Sequence, residues 1–152
     1  MPGRRIIDVD QAGVWLGIRA VVARMRGRGG SIVNISSDAG LFGMAMVAAC
    51  SSATFAARGI TRSAAVELAP EGICVNSVHP GFIDTAATRP AGIAESIATE
   101  GHAPGVGVPL GRIGTPREAA NLVLFLAPEE SSYCTGAEFV IDGGTMAGPV
   151  PD

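Results

Sequence analysis

Three short runs, SIVNIS (31–36), ICVNSVH (73–79) and AEFVIDGG (137–144), are set off by glycine or proline and separated by long stretches of helical period. Runs of this length, rich in β-branched residues and bounded by turn formers, read as buried strands. Strands that alternate with helices pair in parallel, because each return to the sheet needs a crossover, and such crossovers are right-handed. The chain is therefore expected to build an α/β fold around a small parallel sheet.

The intervening segments supply the helices. From Asp8 to Arg28, Val14, Ile18, Val21, Val22 and Met25 fall on one stripe, with Asp8 and Asp10 at the start and Arg24, Arg26 and Arg28 near the end. That charge order suits the helix dipole, and Gly29-Gly30 closes the segment. Residues 44–69 form a second helical pattern crowded with Ala, Ser and Cys and interrupted by Gly59. A face of small residues lets another backbone or a ligand come close. In TPREAANLVLFLA (115–127), Thr115 is placed to cap, Pro116 suits the first turn and Glu118 completes a capping box. The stretch 82–114 holds several Pro and Gly residues and no sustained period, and it reads as a mobile lid-like excursion with one short helix around 91–99.

At 152 residues and with no internal repeat, the chain is expected to form one domain over 1–152. Its net charge is −3, and the arginines of RMRGRGG (24–30) belong to a helix end, so no nucleic-acid groove is expected. The apolar stretches LFGMAMVAAC (41–50) and NLVLFLA (121–127) are too short to cross a bilayer, and MPGRRIIDVD lacks the apolar core of a secretory leader. A cytoplasmic protein without a membrane anchor is the expectation. Cys50, Cys74 and Cys134 lie in no metal-binding spacing, so no metal site is expected and reduced thiols are the default. All 11 basic residues are arginine; the sequence contains no lysine.

Taken in order, GGSIVNISS (29–37), GLFG (40–43), RGITRSAAVELAPEGICVNSVHPGFIDT (58–85) and GRIGTPREAANLVLFLAPEESSYCTGAEFVIDGG (111–144) resemble the short-chain dehydrogenase/reductase family, in particular its bacterial hydroxysteroid dehydrogenase and acyl-carrier reductase branch. The resemblance covers the C-terminal half of that family's domain. It implies a partial Rossmann-like parallel sheet of about three strands flanked by helices, corresponding to the family's fifth, sixth and seventh strands, without the N-terminal dinucleotide-binding half and its glycine-rich phosphate turn. The first of these strands would then present an unpaired edge.

In that family a Tyr exchanges a proton with the substrate oxygen, a Lys one helical turn later lowers the phenol pKa and holds the ribose, a Ser orients the carbonyl, and an Asn holds a relay water. Matched residue by residue, the Ser position is Ser37, the Tyr position is Cys50, the Lys position is Thr54 and the Asn position is Asp10. Cys50 and Thr54 keep the helical spacing. A thiol falls short of a phenol's reach, Thr54 carries no charge to lower a neighbour's pKa, and an ionised Asp10 cannot donate a hydrogen bond. Tyr133 and His79 are read as structural residues, with a catalytic role the weaker alternative.

The resemblance also implies NAD(P) as the ancestral cofactor, with Pro80, Gly81, Ile83 and Thr85 matching the loop at its nicotinamide end. Three readings follow. The first is a protein degenerate for hydride transfer that acts in association or in binding a small apolar ligand. The second is an NAD(P)-dependent oxidoreductase of hydroxysteroids or other alcohols and ketones, completed by another chain. The third is a non-redox enzyme using Cys50 or Asp10, with the thiol activated by His79, His102 or a carboxylate. Helices 8–28 and 44–69 survive, and these pack against symmetry mates in the family, so a homo-oligomer or a complex with full-length relatives is expected.

Overall fold

The computed structural model describes residues 3–86, 88, 102–103, 106–127 and 129–148. The chain begins with α1 (Gly3–Ile6), a π-helical turn (Ile7–Ala12) and α2 (Gly13–Met25), followed by strand β1 (Gly30–Ile35). After a 3-10 turn (Asp38–Gly40) come α3 (Ala48–Leu68) and β2 (Ile73–Pro80). A two-stranded pair, β3 (His102–Ala103) and β4 (Val106–Gly107), then precedes α4 (Pro116–Leu126) and β5 (Glu138–Ile141).

The sheet has the order β1-β2-β5, and both pairings are parallel. Gly30 lies opposite Ile73 at one end of the first pairing and Ile35 opposite Val78 at the other; Ser77 to Pro80 then pair with Glu138 to Ile141. The partial Rossmann-like sheet implied by the resemblance is thus the sheet observed. Among the described residues β1 has no second neighbour, so the unpaired edge falls on the expected strand.

The main core lies where α2 and α3 meet the sheet. Ile18, Ala64, Ala65, Leu68, Ile73 and Val75 form it, and Val14, Val22, Met25, Ile32 and Ile60 pack on its border. The alanine face of α3 has a definite use: with Ala53 and Ala57 fully enclosed, the helix backbone approaches the 38–40 turn so closely that a Cβ on Gly40 would sit 3.0 Å from the Thr54 carbonyl carbon. No larger residue fits at 40 without moving α3.

Polar side chains fix the register of what surrounds β2. Asn76 Nδ2 donates to the Cys134 carbonyl at 2.6 Å, and its Oδ1 accepts from the Ala137 amide at 3.1 Å. Asn34 donates to Thr61 Oγ1 at 2.9 Å, and Thr61 in turn donates to the Ala57 carbonyl at 2.8 Å, tying β1 to α3. The last turn of α4 is held from two sides, as Ser31 and Ser131 both donate to the Leu126 carbonyl. At its first turn, Thr115 and Glu118 form the expected capping box.

Three expectations are adjusted. Val21 faces solvent instead of the core, because within α2 it stands at the margin of the stripe formed by Val14, Ile18, Val22 and Met25. The π-helical turn belongs to a longer helical run than expected, beginning at Gly3, and the run ends at Met25, where Gly27 and Gly29 take positive φ. The second helix starts at Ala48 and not at 44, because Met46 turns the chain through a left-handed conformation (φ 66°) with its side chain in solvent. The short helix expected around 91–99 lies outside the described residues.

Two substitutions check the orientation of α4. Leu126 is fully buried and Leu124 is exposed. Leu126→Ala is expected to cost about 2–5 kcal/mol and Leu124→Ala less than about 0.5 kcal/mol in urea unfolding; a loss at 124 as large as or larger than that at 126 would contradict this orientation.

Candidate functional site

The C-terminal ends of β1, β2 and β5 converge, which is where open α/β sheets bind ligands. At the end of β1, Ser36 donates to the Thr54 carbonyl at 3.2 Å and moors the exit turn on α3. Ser37 caps the following 3-10 turn, accepting from the Ala39 amide at 3.2 Å. Its hydroxyl donates to Asp38 Oδ1 at 3.0 Å. The one serine matching a catalytic position therefore has its proton directed at a neighbouring carboxyl group.

Cys50 stands in the first turn of α3, half-buried. Burial pushes its thiol pKa up, and the charges of Asp10 and Asp38 push it further in the same direction. The structure therefore brings the π-helical turn that carries Asp10, the β1 exit and the start of α3 into one electrostatic neighbourhood. In it the thiolate is disfavoured, the reverse of what a nucleophilic cysteine needs. Thr54 is buried, and its hydroxyl donates back to the Cys50 carbonyl at 2.8 Å and lies 3.2 Å from the Ser51 carbonyl. The residue matched to the family's lysine is thus an internally satisfied helix residue.

His79 is fully buried near the end of β2. Its Nδ1 lies 2.9 Å from the Ser37 carbonyl and its Nε2 2.8 Å from Ser77 Oγ. A carbonyl can only accept, so Nδ1 carries the proton and Nε2 accepts from the serine. Burial lowers the imidazole pKa, which keeps the ring neutral. His79 thus staples the β1 exit to β2 and has no free nitrogen with which to activate Cys50. Tyr133 is fully exposed, and the side chain of His102 lies outside the described residues. The structural reading of His79 agrees with its placement, and Tyr133 stands in solvent.

The four loop positions follow β2 outward. Pro80 pairs with Ile141, and the Gly81 amide donates to the Ile141 carbonyl at 3.0 Å. Gly81 is required by space: a Cβ there would come within 2.8 Å of Asp142 Cβ. Ile83 is buried and bridges in parallel to Gly114, while the Thr85 amide donates to Thr88 Oγ1 at 3.0 Å. Pro80 and Gly81 therefore border the convergent strand ends, and Ile83 and Thr85 continue the loop past them.

Sequence reasoning missed three features here. Asp38 is buried between Ser37 and the strand ends, and only its position within SSDAG hinted at it. Arg58 on α3 reaches Glu138 of β5 through a two-pronged ion pair (2.9 and 3.1 Å) and donates to the Gly40 carbonyl at 2.7 Å. Those partners are 80 residues apart, a distance no local pattern spans. Asp142 accepts amides from Gly144 and Met146 and shapes the turn after β5. Among the described residues no cluster of His, Cys, Asp or Glu could hold a metal, and no helix is long and apolar enough to cross a membrane.

Known proteins share this arrangement. The family model described as enoyl-(acyl carrier protein) reductase matches residues 3–146. A 3-alpha-(or 20-beta)-hydroxysteroid dehydrogenase of Mycobacterium tuberculosis is 50% identical over 146 residues, covering 95% of this chain and 52% of the relative. A trans-4-hydroxycyclohexanecarboxylate dehydrogenase of Sinomonas cyclohexanicum is 44% identical over 145 residues, with the same coverage of 95% and 52%. The crystal structure of a short-chain type dehydrogenase/reductase from Mycobacterium marinum superposes with a TM-score of 0.86 at 36% identity, covering 97% of this chain and 59% of that one. The chain belongs to the short-chain dehydrogenase/reductase family, and it spans about half the length of the curated relatives it matches.

The thiol environment gives a direct check. In a Cys74→Ser/Cys134→Ser background, Cys50 is expected to alkylate with iodoacetamide more slowly than free cysteine at about pH 8, and Asp10→Asn is expected to speed it up. Rapid labelling near neutral pH would contradict the geometry.

Proposed function

We propose that this chain keeps the architecture of the short-chain dehydrogenases but does not run their hydride transfer with the residues at its own catalytic positions. Its retained role is association, together with binding of a small apolar ligand at the strand ends. The observation that carries this reading is Thr54: it stands at the lysine position, spends its hydroxyl on the Cys50 carbonyl, and no lysine elsewhere in the chain could replace it. In the family that lysine supplies the charge that lowers the proton donor's pKa and a contact to the ribose of NAD(P). Cys50, with a thiol pKa above the ordinary value, has neither the phenol's reach nor an activating cation beside it.

Association draws support from the α2–α3 face. Trp15, Ile18, Arg19, Val22, Gly59, Ile60 and neighbouring residues line an open groove of about 710 Å³ there. Arg19 stacks on the half-exposed Trp15 ring at 4.5 Å. These are the helices through which the family forms its four-helix contact, so a second copy of this chain or a full-length relative is the proposed occupant.

A second reading is favoured by the open edge of β1 and by the 50% identity to a hydroxysteroid dehydrogenase: an NAD(P)-dependent oxidoreductase of alcohols or ketones, completed by another chain. Pro80, Gly81, Ile83 and Thr85 would then meet the cofactor's nicotinamide end. On the first reading, Ser37, Cys50, Thr54 and Asp10 mark an inherited site without its proton donor.

Sedimentation velocity combined with isothermal titration of NADH and NADPH separates the two. The first reading expects a dimer or larger assembly, a shift to monomer in Gly59→Arg, and no heat of cofactor binding. A monomeric chain that binds either nucleotide would overturn it. Cofactor binding that develops only with a partner chain would establish the second.

A further inference from the structure

The acid that takes the Ser37 hydroxyl bond is itself buried at the convergent strand ends. Asp38 is 4% exposed. Its Oδ1 accepts from the Ser37 hydroxyl at 3.0 Å and from the Ala39 amide at 2.7 Å, whereas its Oδ2 is enclosed and has no hydrogen-bond partner among the described residues. That oxygen lies against Gly81, 3.3 Å from where a Cβ would stand, and the same point is 2.8 Å from Asp142 Cβ. Two acidic residues, one after β1 and one after β5, therefore both stand against the glycine that follows β2.

We propose that Asp38 is a proton-operated latch: as a neutral acid it lets the ends of β1, β2 and β5 close on one another, and as a carboxylate it drives the Asp142 turn away from Gly81. A buried carboxylate with one oxygen unserved is costly, and a second carboxylate nearby adds to the cost. The proton belongs on Asp38, because both oxygens of Asp142 already accept backbone amides, at 2.8 Å from Gly144 and 2.7 Å from Met146. Within Asp38 it belongs on Oδ2, since Oδ1 accepts twice.

Among the described residues, no uncommitted cation faces Asp38. From β2 the facing group is His79, held neutral by its bonds to the Ser37 carbonyl and the Ser77 hydroxyl. From α3 it is the Cys50 thiol, with Asp10 of the π-helical turn on that thiol's other flank. The Arg58 guanidinium is committed to Glu138 and the Gly40 carbonyl. Burial, and after it the charge of Asp142, raise the Asp38 pKa, and the bonds from Ser37 and Ala39 and the His79 interaction only partly counter this.

The consequence reaches the rim of the site. The turn that Asp142 shapes carries Gly143, whose carbonyl accepts the Leu110 amide at 3.1 Å, and Val108 packs against the same glycine. Moving that turn would move residues 108–110, which border the strand ends. Because protonation favours the closed form, the native state binds more protons than the unfolded chain between the ordinary aspartate pKa and the raised one. Stability from this group is full at low pH and declines as pH rises through that window.

The test is a carbon-13 carboxyl titration of the full 152-residue chain, followed together with the amide signals of Gly81 and Gly143. Asp38 is expected to titrate above the ordinary 3.8, with both glycine amides shifting at the same midpoint. The Asp38→Asn variant is expected to melt higher than the wild type at about pH 8, the gap closing toward about pH 4. An Asp38 midpoint at or below the ordinary value, glycine amides that do not follow it, or a pH-independent gap would each overturn the latch. The wild-type titration decides the matter even if the variant fails to fold, and its outcome is independent of whether the chain binds a nucleotide.

Discussion

The structure depends on one strand that has water on neither face. β2 is buried almost from end to end, and it hydrogen-bonds to β1 on one side and β5 on the other. A strand in that position must satisfy every polar group it carries inside the protein. It carries three of them, Asn76, Ser77 and His79, in its buried stretch. Asn76 is met by the backbone of 134–137, His79 by the Ser37 carbonyl, and Ser77 by His79 itself. Those obligations fix β5 and the β1 exit relative to β2, and so they fix the site.

On the proposed reading, this is how the frame of a dehydrogenase site persists without its chemistry. The frame is built from backbone bonds, glycines with no room for a Cβ and the small-residue face of α3, to which the side chains at 50 and 54 contribute little beyond the Thr54 Cβ that stands over Gly40. Those side chains are free to vary as long as they fit. Thr54 fits because its hydroxyl bonds to its own helix, and Cys50 because a half-buried neutral thiol asks for little. The charge that the family places here is absent, and two acidic side chains, Asp10 and Asp38, flank the gap instead.

Much of this was legible in the sequence, for physical reasons that can be named. The three strands, the capping box at Thr115 and the replaced residues at 50 and 54 are local or evenly spaced features, and short-range pattern reports them directly. The π-helical turn around Asp10 was not, because it precedes the apolar stripe of Val14, Ile18, Val22 and Met25 and leaves that stripe's period untouched. The Arg58–Glu138 clamp joins segments distant in the chain, and its charges read separately as ordinary surface residues. Asp38 looked like a turn former; its burial follows from Gly81 and Asp142 closing over it, which only the three-dimensional arrangement reveals.

The central claim is that family membership here does not carry the family's proton donor. Incubating the purified chain with NADH or NADPH bearing deuterium at the transferable C4 position, together with cyclohexanone or a 20-ketosteroid, and measuring deuterium in the alcohol product by mass spectrometry addresses it most directly. The account expects no enrichment above a protein-free control. Deuterium transferred in proportion to protein concentration, and lost on Cys50→Ala, would contradict it.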